Sequence, residues 1–310
     1  MDPASRGGRA RRLLPIAAAI ALPWAWFWVR DLGGRVDAIA VGLPLLGVAA
    51  VISTAVVAVV TGRTLPLIAG TSVFVVCAVA VIGPLLPRTI PRPDPPIRLV
   101  MANLWDANRS PEAAPDSLLD QRPDIVAAAE LPEGFVDAMT AEASTAGLSG
   151  PVRARGLAVW SRFPVSELAE LEFRFARVMR LDVSAPAAPF VLYVVHADNP
   201  LRESSFAQQR RFTDELLQAM DDEQRPVVLA GDFNMSDRLV SYRTLDAALL
   251  DAMRAGAAGR ATYVGGWWTT LLLRIDHIFV SRGWCAADPA TFTVTGSDHR
   301  GVGVAVGPCP

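Results

Sequence analysis

The chain has no lysine, three histidines and three cysteines in 310 residues, and one long stretch is nearly without charge. Without lysine every basic group is an arginine, so any bias toward one side of a membrane must be read from arginines alone. Imidazole chemistry is confined to His196, His277 and His299. Cys77 lies in an apolar stretch, which leaves Cys285 and Cys309 as the thiols of the polar part. They either pair to tie down the C-terminal tail, as an oxidising compartment permits, or stand as unrelated thiols. The missing lysine, with abundant alanine and arginine, is the compositional habit of a GC-rich bacterial genome. No internal repeat is visible.

From Leu13 to Pro87 the charged residues are Arg30, Asp31, Arg35, Asp37 and Arg63 alone. They leave three apolar stretches, about Leu13–Val29, Ala38–Val60 and Leu65–Leu86. A helix needs roughly 20 apolar residues to cross a bilayer. A signal peptide explains one such stretch behind basic residues, but not three in succession. The expectation is a three-span region over 13–87. Arg6, Arg9, Arg11 and Arg12 make residues 1–12 a basic, cytoplasmic N-terminus, and an odd number of spans then places the remainder outside. Arg30, Arg35, Arg88 and Arg92 pull the other way. The expected setting is a bacterial cell membrane, multi-pass, with the C-terminal domain extracytoplasmic and the lipid bilayer as a partner.

Pro87–Pro96 reads PRTIPRPDPP, five prolines in ten positions. Such a run cannot be helical and favours extended polyproline geometry. Residues 88–96 are therefore expected to be a stiff linker, holding the next domain roughly 30 Å from the last span at about 3.1 Å per residue.

From Ile97 to Pro310 short apolar runs alternate with helical stretches. Ile97–Leu104, Asp124–Glu130, Gly156–Ser161, Val178–Val183 and Phe190–His196 read as strands, as do PVVLAGD, RIDHIFV and GVGVAV. Ser110-Pro111 reads as the start of a helix through about Gln121. Phe206, Phe212, Leu216 and Leu217 recur at helical spacing within Glu203–Met220. Many strands with few helices between them predict two packed sheets flanked by helices.

Several apolar runs end in a polar side chain: Asn103, Glu130, His196 and Asp232. With GDFN (Gly231–Asn234), RIDHIF (Arg274–Phe279) and GSDHR (Gly296–Arg300), they suggest one rim of two sheets carrying acidic, amide and imidazole groups. That combination suits metal-assisted hydrolysis of phosphate esters, because attack on an anionic ester needs a cation and donors to offset developing charge.

The order N…E…H…GDFN…RIDH…GSDH resembles the endonuclease/exonuclease/phosphatase (DNase I-like) superfamily over about Arg98 to Val306. The resemblance implies an α/β fold, a four-layer α/β/β/α sandwich, here preceded by three transmembrane helices. It implies that Glu130, with Asn103 and Asp298, holds Mg2+ (Mn2+ is the alternative), since hard oxygen ligands suit such ions. It further implies that Asp232 orients and deprotonates water and that Asn234 binds the phosphoryl group or that water. His299 backed by Asp276 would act on the phosphate, and His196 would contact another oxygen or protonate the leaving group. Several nucleases of the superfamily carry an acidic ligand two residues after the asparagine. Trp105 stands there instead, with Asp106 next and Asn108 near, so a single loosely held metal is expected.

Each residue also has a plain structural reading. The plain reading of Asp276 is a pair with Arg274, but its place before GSDH favours the catalytic role. Strand alternation turns His277 to the opposite face, as a structural histidine. Arg109, Arg210 and Arg300 read as solvated surface. Trp267-Trp268 is either a substrate-groove pair or packing.

From Ile97 onward there are 20 arginines against 27 acidic residues, 20 − 27 = −7, and no basic run beyond RARG and QQRR. A grip on nucleic acid usually shows a basic footprint. The favoured function is thus a membrane-anchored phosphoesterase acting on a lipid-linked or small phosphate mono- or diester. A membrane-anchored DNA or RNA nuclease comes second and an inactive binding module third. No protein partner is expected.

Overall fold

A computed structural model describes residues 21–186, 188–256, 261–266 and 273–310. They divide into two compact units: one ends at Pro84 and also takes in Arg238–Val240, and the other is the rest of the chain from Leu85.

In the first unit, helices α1 (Asp37–Thr61) and α2 (Leu65–Ile82) pair closely. Small side chains allow it. A Cβ at Gly47 would sit 3.0 Å from Cys77 Cβ, and one at Gly70 would run into the Thr54 hydroxyl. That hydroxyl is itself satisfied by the Ala50 carbonyl, 2.7 Å away. Small residues at such a seam are how apolar helices pack without a hydrophobic drive between them. Val48, Ile52, Val59, Phe74 and Val79 point outward and exposed. Gly34–Thr61 and Leu65–Leu85 are long and apolar enough to cross a membrane, so among the described residues there are two such helices where three spans were expected. Of the first expected span, Leu13–Val29, residues 21–29 are helical and the rest lies outside the described residues.

The second unit is built on two six-stranded sheets. The first contains β1 (Ile97–Asn103), β2 (Ile125–Ala129), β3 (Ser149–Ala154), β4 (Leu157–Ser161), β11 (Trp284–Thr293) and β12 (Arg300–Pro308), in the order β11-β12-β1-β2-β4-β3. The second contains β5 (Val165–Phe173), β6 (Ala176–Val183), β7 (Phe190–Ala197), β8 (Val227–Asp232), β9 (Leu250–Asp251) and β10 (Asp276–Val280), in the order β5-β6-β7-β8-β10-β9. Their inner faces share one core: Leu99, Met101, Ile125 and Val304 from one sheet, Leu181, Leu192, Val194, Ala230 and Ile278 from the other. Full burial of each large side chain there contributes about 1.5–3 kcal/mol.

Helices α3 (Ala114–Leu119) and α4 (Phe135–Thr145) cover the outer face of the first sheet, with Leu118, Phe135 and Met139 against Val100, Val126 and Trp160. Helix α5 (Phe206–Met220) belongs to the second. Its buried stripe, Phe206, Gln209, Phe212, Thr213, Leu216 and Met220, follows the helical repeat, and Ser205 caps it by accepting from Gln208 N at 3.3 Å. The result is the expected layering of helices outside two sheets.

Two strand pairs are parallel, β1 with β2 and β7 with β8. Each needs a crossover, and α3 and α5 supply them. The C-terminal ends of parallel strands are where α/β sheets carry their sites. Asn103 ends β1, Asp232 ends β8, and Glu130 and His196 lie within one residue of the ends of β2 and β7. Strands β10 and β12 run antiparallel to their neighbours, so their beginnings reach that rim and bring Asp276 and His299 to it.

Residues 88–96 are fastened along the second unit. Arg88 forms a two-pronged pair with Asp246 at 2.7 and 2.6 Å, and Arg92 does the same with Asp288 at 2.7 and 2.9 Å. Backbone bonds from Arg88 to Arg254 O (2.6 Å) and from Asp94 to Pro308 O (3.0 Å) complete the strap. Cys285 and Cys309 are disulfide-bonded and close the end of β12 onto the start of β11.

Candidate active site

Three rim positions lie side by side across the second sheet: His196 pairs in register with Asp232, and Asp232 with Asp276. The first sheet brings Asn103 and Glu130 against them. Asn103 Nδ2 donates to Glu130 Oε1 at 2.8 Å and to Asp232 Oδ2 at 3.0 Å, tying the two sheets' carboxylates together. His196 Nε2 lies 3.1 Å from Glu130 Oε1. His299 Nδ1 lies 2.9 Å from Asp276 Oδ2, and its Nε2 is 3.9 Å from both Asp232 Oδ2 and Asp298 Oδ1. All eight expected site residues therefore meet at one rim except for a difference in how Asn103 is presented. Its amide nitrogen, rather than its oxygen, faces the carboxylates, while its Oδ1 accepts from Trp105 N at 2.9 Å.

The loops holding these groups are bent hard. Trp105, Glu130 and Asn234 have φ of +63°, +49° and +48°, left-handed values that non-glycine residues rarely adopt. Strain of this kind, of order 1–3 kcal/mol per residue, persists where surrounding bonds over-determine it. Asn234 is held three ways: its N–H donates to Asp232 Oδ1 (2.8 Å), its Nδ2 to Ala197 O (2.8 Å), and its carbonyl accepts from Gln209 Nε2 (2.8 Å).

Electrostatics divide the site. Burial would raise the Glu130 carboxyl, but bonds from His196 and Asn103 outweigh it and bring the pKa down to about 2. Asp232 is pushed up to about 6 by burial and then by the neighbouring charge of Asp276. Burial disfavours a charged His299, yet Asp276, with Asp232 and Asp298, overrules it and pushes the imidazole up to about 10. His196 is also raised, the bond to Glu130 and the charge of Asp232 overcoming burial. The site thus combines an ionised carboxylate, a carboxylate poised near neutrality and two imidazoles that favour their protons.

Surplus negative charge makes room for a cation. Glu130, His196 and Asp232 form one cluster whose ligand atoms lie within 4.8 Å of one another, and Asp232, Asp276 and His299 form a second that shares Asp232. Asp276 Oδ1 and Asp298 Oδ1 are buried without a hydrogen-bond partner, as is His196 Nδ1. Orphaned carboxylate oxygens at a crowded acidic rim fit a hard divalent ion. Asp106 offers Glu130 only its backbone N–H, at 3.4 Å. Asn108 is spent on the loop itself, donating to Leu104 O and Thr295 O at 3.2 and 2.9 Å, so it does not make up for Trp105.

The sequence pattern that defines the endonuclease/exonuclease/phosphatase family matches residues 101–299, well over half of the chain, a span within which all eight rim residues lie. The chain belongs to that family. It is a metal-dependent hydrolase acting on phosphate ester bonds. Solved members share the fold. A humanized D. rerio TDP2 is 17% identical with a TM-score of 0.57, covering 68% of this chain and 98% of its own. The catalytic domain of human Nocturnin, with a bound sulfate anion, is 17% identical with a TM-score of 0.54, covering 71% and 96%. A mannosyl-6-phosphatase from Bacteroides thetaiotaomicron is 17% identical with a TM-score of 0.52, covering 68% and 99%. No curated protein matches the chain.

Other expectations resolve individually. Asp276 does not pair with Arg274; that guanidinium instead meets Asp251 at 2.7 Å and Asp237 at 3.4 Å. His277 is fully buried beside Phe233, Tyr242 and Phe279, with Nε2 2.9 Å from Met235 O. Arg109 and Arg210 are exposed, and Arg300 donates to Ala261 O at 2.9 Å. Trp267-Trp268 lies outside the described residues. Three supporting residues escaped the sequence reading. Gln209, buried on α5, clamps the carbonyls of Phe233 and Asn234. Thr262 Oγ1 accepts from the N–H groups of Ile275 and Asp276 at 2.9 and 3.0 Å. Ser297 Oγ links Asn103 O to His299 N at 2.8 and 2.9 Å. Only Ser297 stood inside a recognised motif; the other two act from 25 and 14 residues away.

Proposed function

We propose that the chain is a membrane-anchored phosphoesterase that hydrolyses a small or lipid-linked phosphate mono- or diester by in-line attack of water. The observation that carries this reading is the line His196–Asp232–Asp276, with His299 at its end and Glu130 and Asn103 across from it. Asp232, raised toward neutrality, accepts the proton of the attacking water. The Asn234 side chain, fixed beside Asp232 by the backbone N–H, orients that water or the phosphoryl group. His299, protonated and aligned by Asp276, donates to a phosphoryl oxygen as charge develops there. His196, held on Glu130, gives its proton to the leaving oxygen. Mg2+, with Mn2+ as substitute, would be held by Glu130 and Asp298, with Asn103 bracing Glu130, and supplies Lewis-acid neutralisation of the anionic ester.

The anchor in this reading is the region 13–87, with residues 1–12 cytoplasmic, 88–96 the link and 97–310 the hydrolase domain. Two helices of membrane-crossing length support it. The Cys285–Cys309 bond favours an oxidising, extracytoplasmic side. The net charge of −7 from Ile97 onward favours a small or lipid-linked ester over a nucleic-acid backbone. The test uses the full chain in nanodiscs with Mg2+, offered bis-p-nitrophenyl phosphate, prenyl monophosphates and DNA and RNA. Chelator-sensitive turnover of the small or lipid esters is expected; turnover confined to DNA or RNA would make it a nuclease instead.

A further inference from the structure

From Ile97 onward, the large apolar side chains that stand exposed among the described residues are Trp105 (36%) and Leu201 (62%). Trp105 lies on the loop that follows the strand of Asn103, and Leu201 on the loop that follows the strand of His196. Trp105 comes two residues after Asn103, on a loop whose next N–H reaches Glu130. Leu201 comes five residues after His196, on the turn leading to α5. Its neighbour Arg202 acts electrostatically on Tyr263, whose ring lies 5.2 Å from that of His299. Exposed apolar bulk confined to the loops that follow β1 and β7, the strands of Asn103 and His196, calls for an explanation in the substrate.

Neither side chain is out by default. The Leu201 turn is built around Asn199. The Asn199 carbonyl accepts from the N–H groups of Arg202, Glu203 and Ser204 at 3.2, 2.8 and 3.0 Å. Its Oδ1 accepts from Leu201 N at 2.9 Å, and its own N–H donates to Glu203 Oε2 at 2.9 Å. The polar atoms are satisfied inward and the leucine is left facing solvent. Trp105 is held out by its left-handed backbone, with its N–H on Asn103 and its carbonyl accepting from Asn108 N at 2.8 Å.

We propose that Trp105 and Leu201 form an apolar rim that takes the hydrocarbon chain of an amphiphilic phosphate ester, so that its phosphate meets Asp232. The proposal rests on the phosphoesterase reading above and names its substrate class. Charge supports a lipid over a polynucleotide, since the domain carries seven more acidic than basic groups. Leucine offers no ring on which a base could stack. The chain itself carries helices apolar enough to lie in the bilayer from which such a substrate comes. Tryptophan is the side chain most at home where an apolar phase meets a polar one.

The test compares two monophosphates with the same head and different tails, geranylgeranyl and isopentenyl monophosphate, on the full chain in nanodiscs with Mg2+. Trp105→Asn keeps a residue that tolerates the left-handed backbone, and Leu201→Ser alters the other loop independently. In each variant the long-to-short ratio of kcat/KM is expected to fall roughly tenfold, the effect of losing a substantial apolar contact. An unchanged ratio in Leu201→Ser, with both esters still turned over, defeats the rim assignment and spares the phosphoesterase reading. A wild type that hydrolyses neither monophosphate nor bis-p-nitrophenyl phosphate defeats that reading and the rim with it. A single-stranded oligonucleotide that is the better substrate, and loses most in Trp105→Asn, replaces the lipid chain with a stacked base and overturns the proposal.

Discussion

Two clusters of buried ionisable groups stand two residues apart on one segment, at Arg274 and Asp276, and they are opposites. Around Arg274 the charges are closed by a cation among carboxylates: its guanidinium meets Asp251 and Asp237, its Nη1 being left without a hydrogen-bond partner, and Tyr242 donates to Asp251 at 2.6 Å. Around Asp276 they do not close, because Asp232, Asp276 and Asp298 crowd together, with orphaned oxygens on two of them. Strand alternation sends His277 into the first cluster's surroundings, while Asp276 faces the rim where His299 waits. Burial and then the Arg274 charge pull His277 down to about 4, whereas aspartates push His299 up to about 10. One residue type thus carries opposite protonation in two surroundings of one domain. A cluster of carboxylates held by a guanidinium stabilises a fold; one gathered about an imidazole is prepared to take up a cation, a substrate or a proton.

The largest effect is expected on the open side: His299→Ala should lower turnover of bis-p-nitrophenyl phosphate by about 10³-fold, with the unfolding temperature little changed. On the closed side Arg274→Leu should destabilise by about 3–5 kcal/mol in denaturant titration, because it strands the buried carboxylate of Asp251.

The pH dependence sharpens the contrast further. The unfolded chain takes a proton on His277 below about 6.5, but the folded chain does so only near 4, so this histidine's contribution is complete above 6.5 and lost as pH falls through 4. At about 1.4 kcal/mol per unit the loss is about 3 kcal/mol. Asp232, raised to about 6, runs the other way in metal-free protein, stabilising the fold as pH falls. The readout is therefore the difference between wild type and His277→Phe at pH 6.5 and 4, where the variant should be spared about 3 kcal/mol of acid destabilisation. Smallest of all, Arg92→Ala should cost under about 1 kcal/mol, since its pair with Asp288 is exposed on both sides.

What could be read in the sequence follows the same divide between local and distant causes. β7 and β8 are runs of apolar residues ending in His196 and Asp232, and the motifs at their ends fall on the rim because parallel strands finish together. β5 was invisible because its apolar residues Val165, Leu168, Ala169 and Leu171 recur nearer to helical than to strand spacing, and a bulge between Ser166 and Ala169 absorbs the slip. β11 hides in the same way behind Pro289 and its own irregularity between Ala287 and Ala290. The fastening of residues 88–96 is not legible locally, because the partners Asp246 and Asp288 lie 158 and 196 residues along the chain. Polyproline geometry was the only local information available, and tertiary ion pairs decided the outcome. Gln209 and Thr262 were missed for that reason too, since each works on a backbone group remote in sequence.

The most direct measurement of the account is metal-dependent hydrolysis of bis-p-nitrophenyl phosphate by the full chain in nanodiscs, wild type against Asp232→Asn, each with Mg2+ and with chelator. The account predicts turnover in the wild type that chelation removes, and a fall of about 10³-fold in a variant that unfolds at the same temperature. Equal, metal-dependent turnover in the two proteins would contradict it, because the chemistry would then lie somewhere other than the rim where Asp232 joins Asn103, His196 and His299.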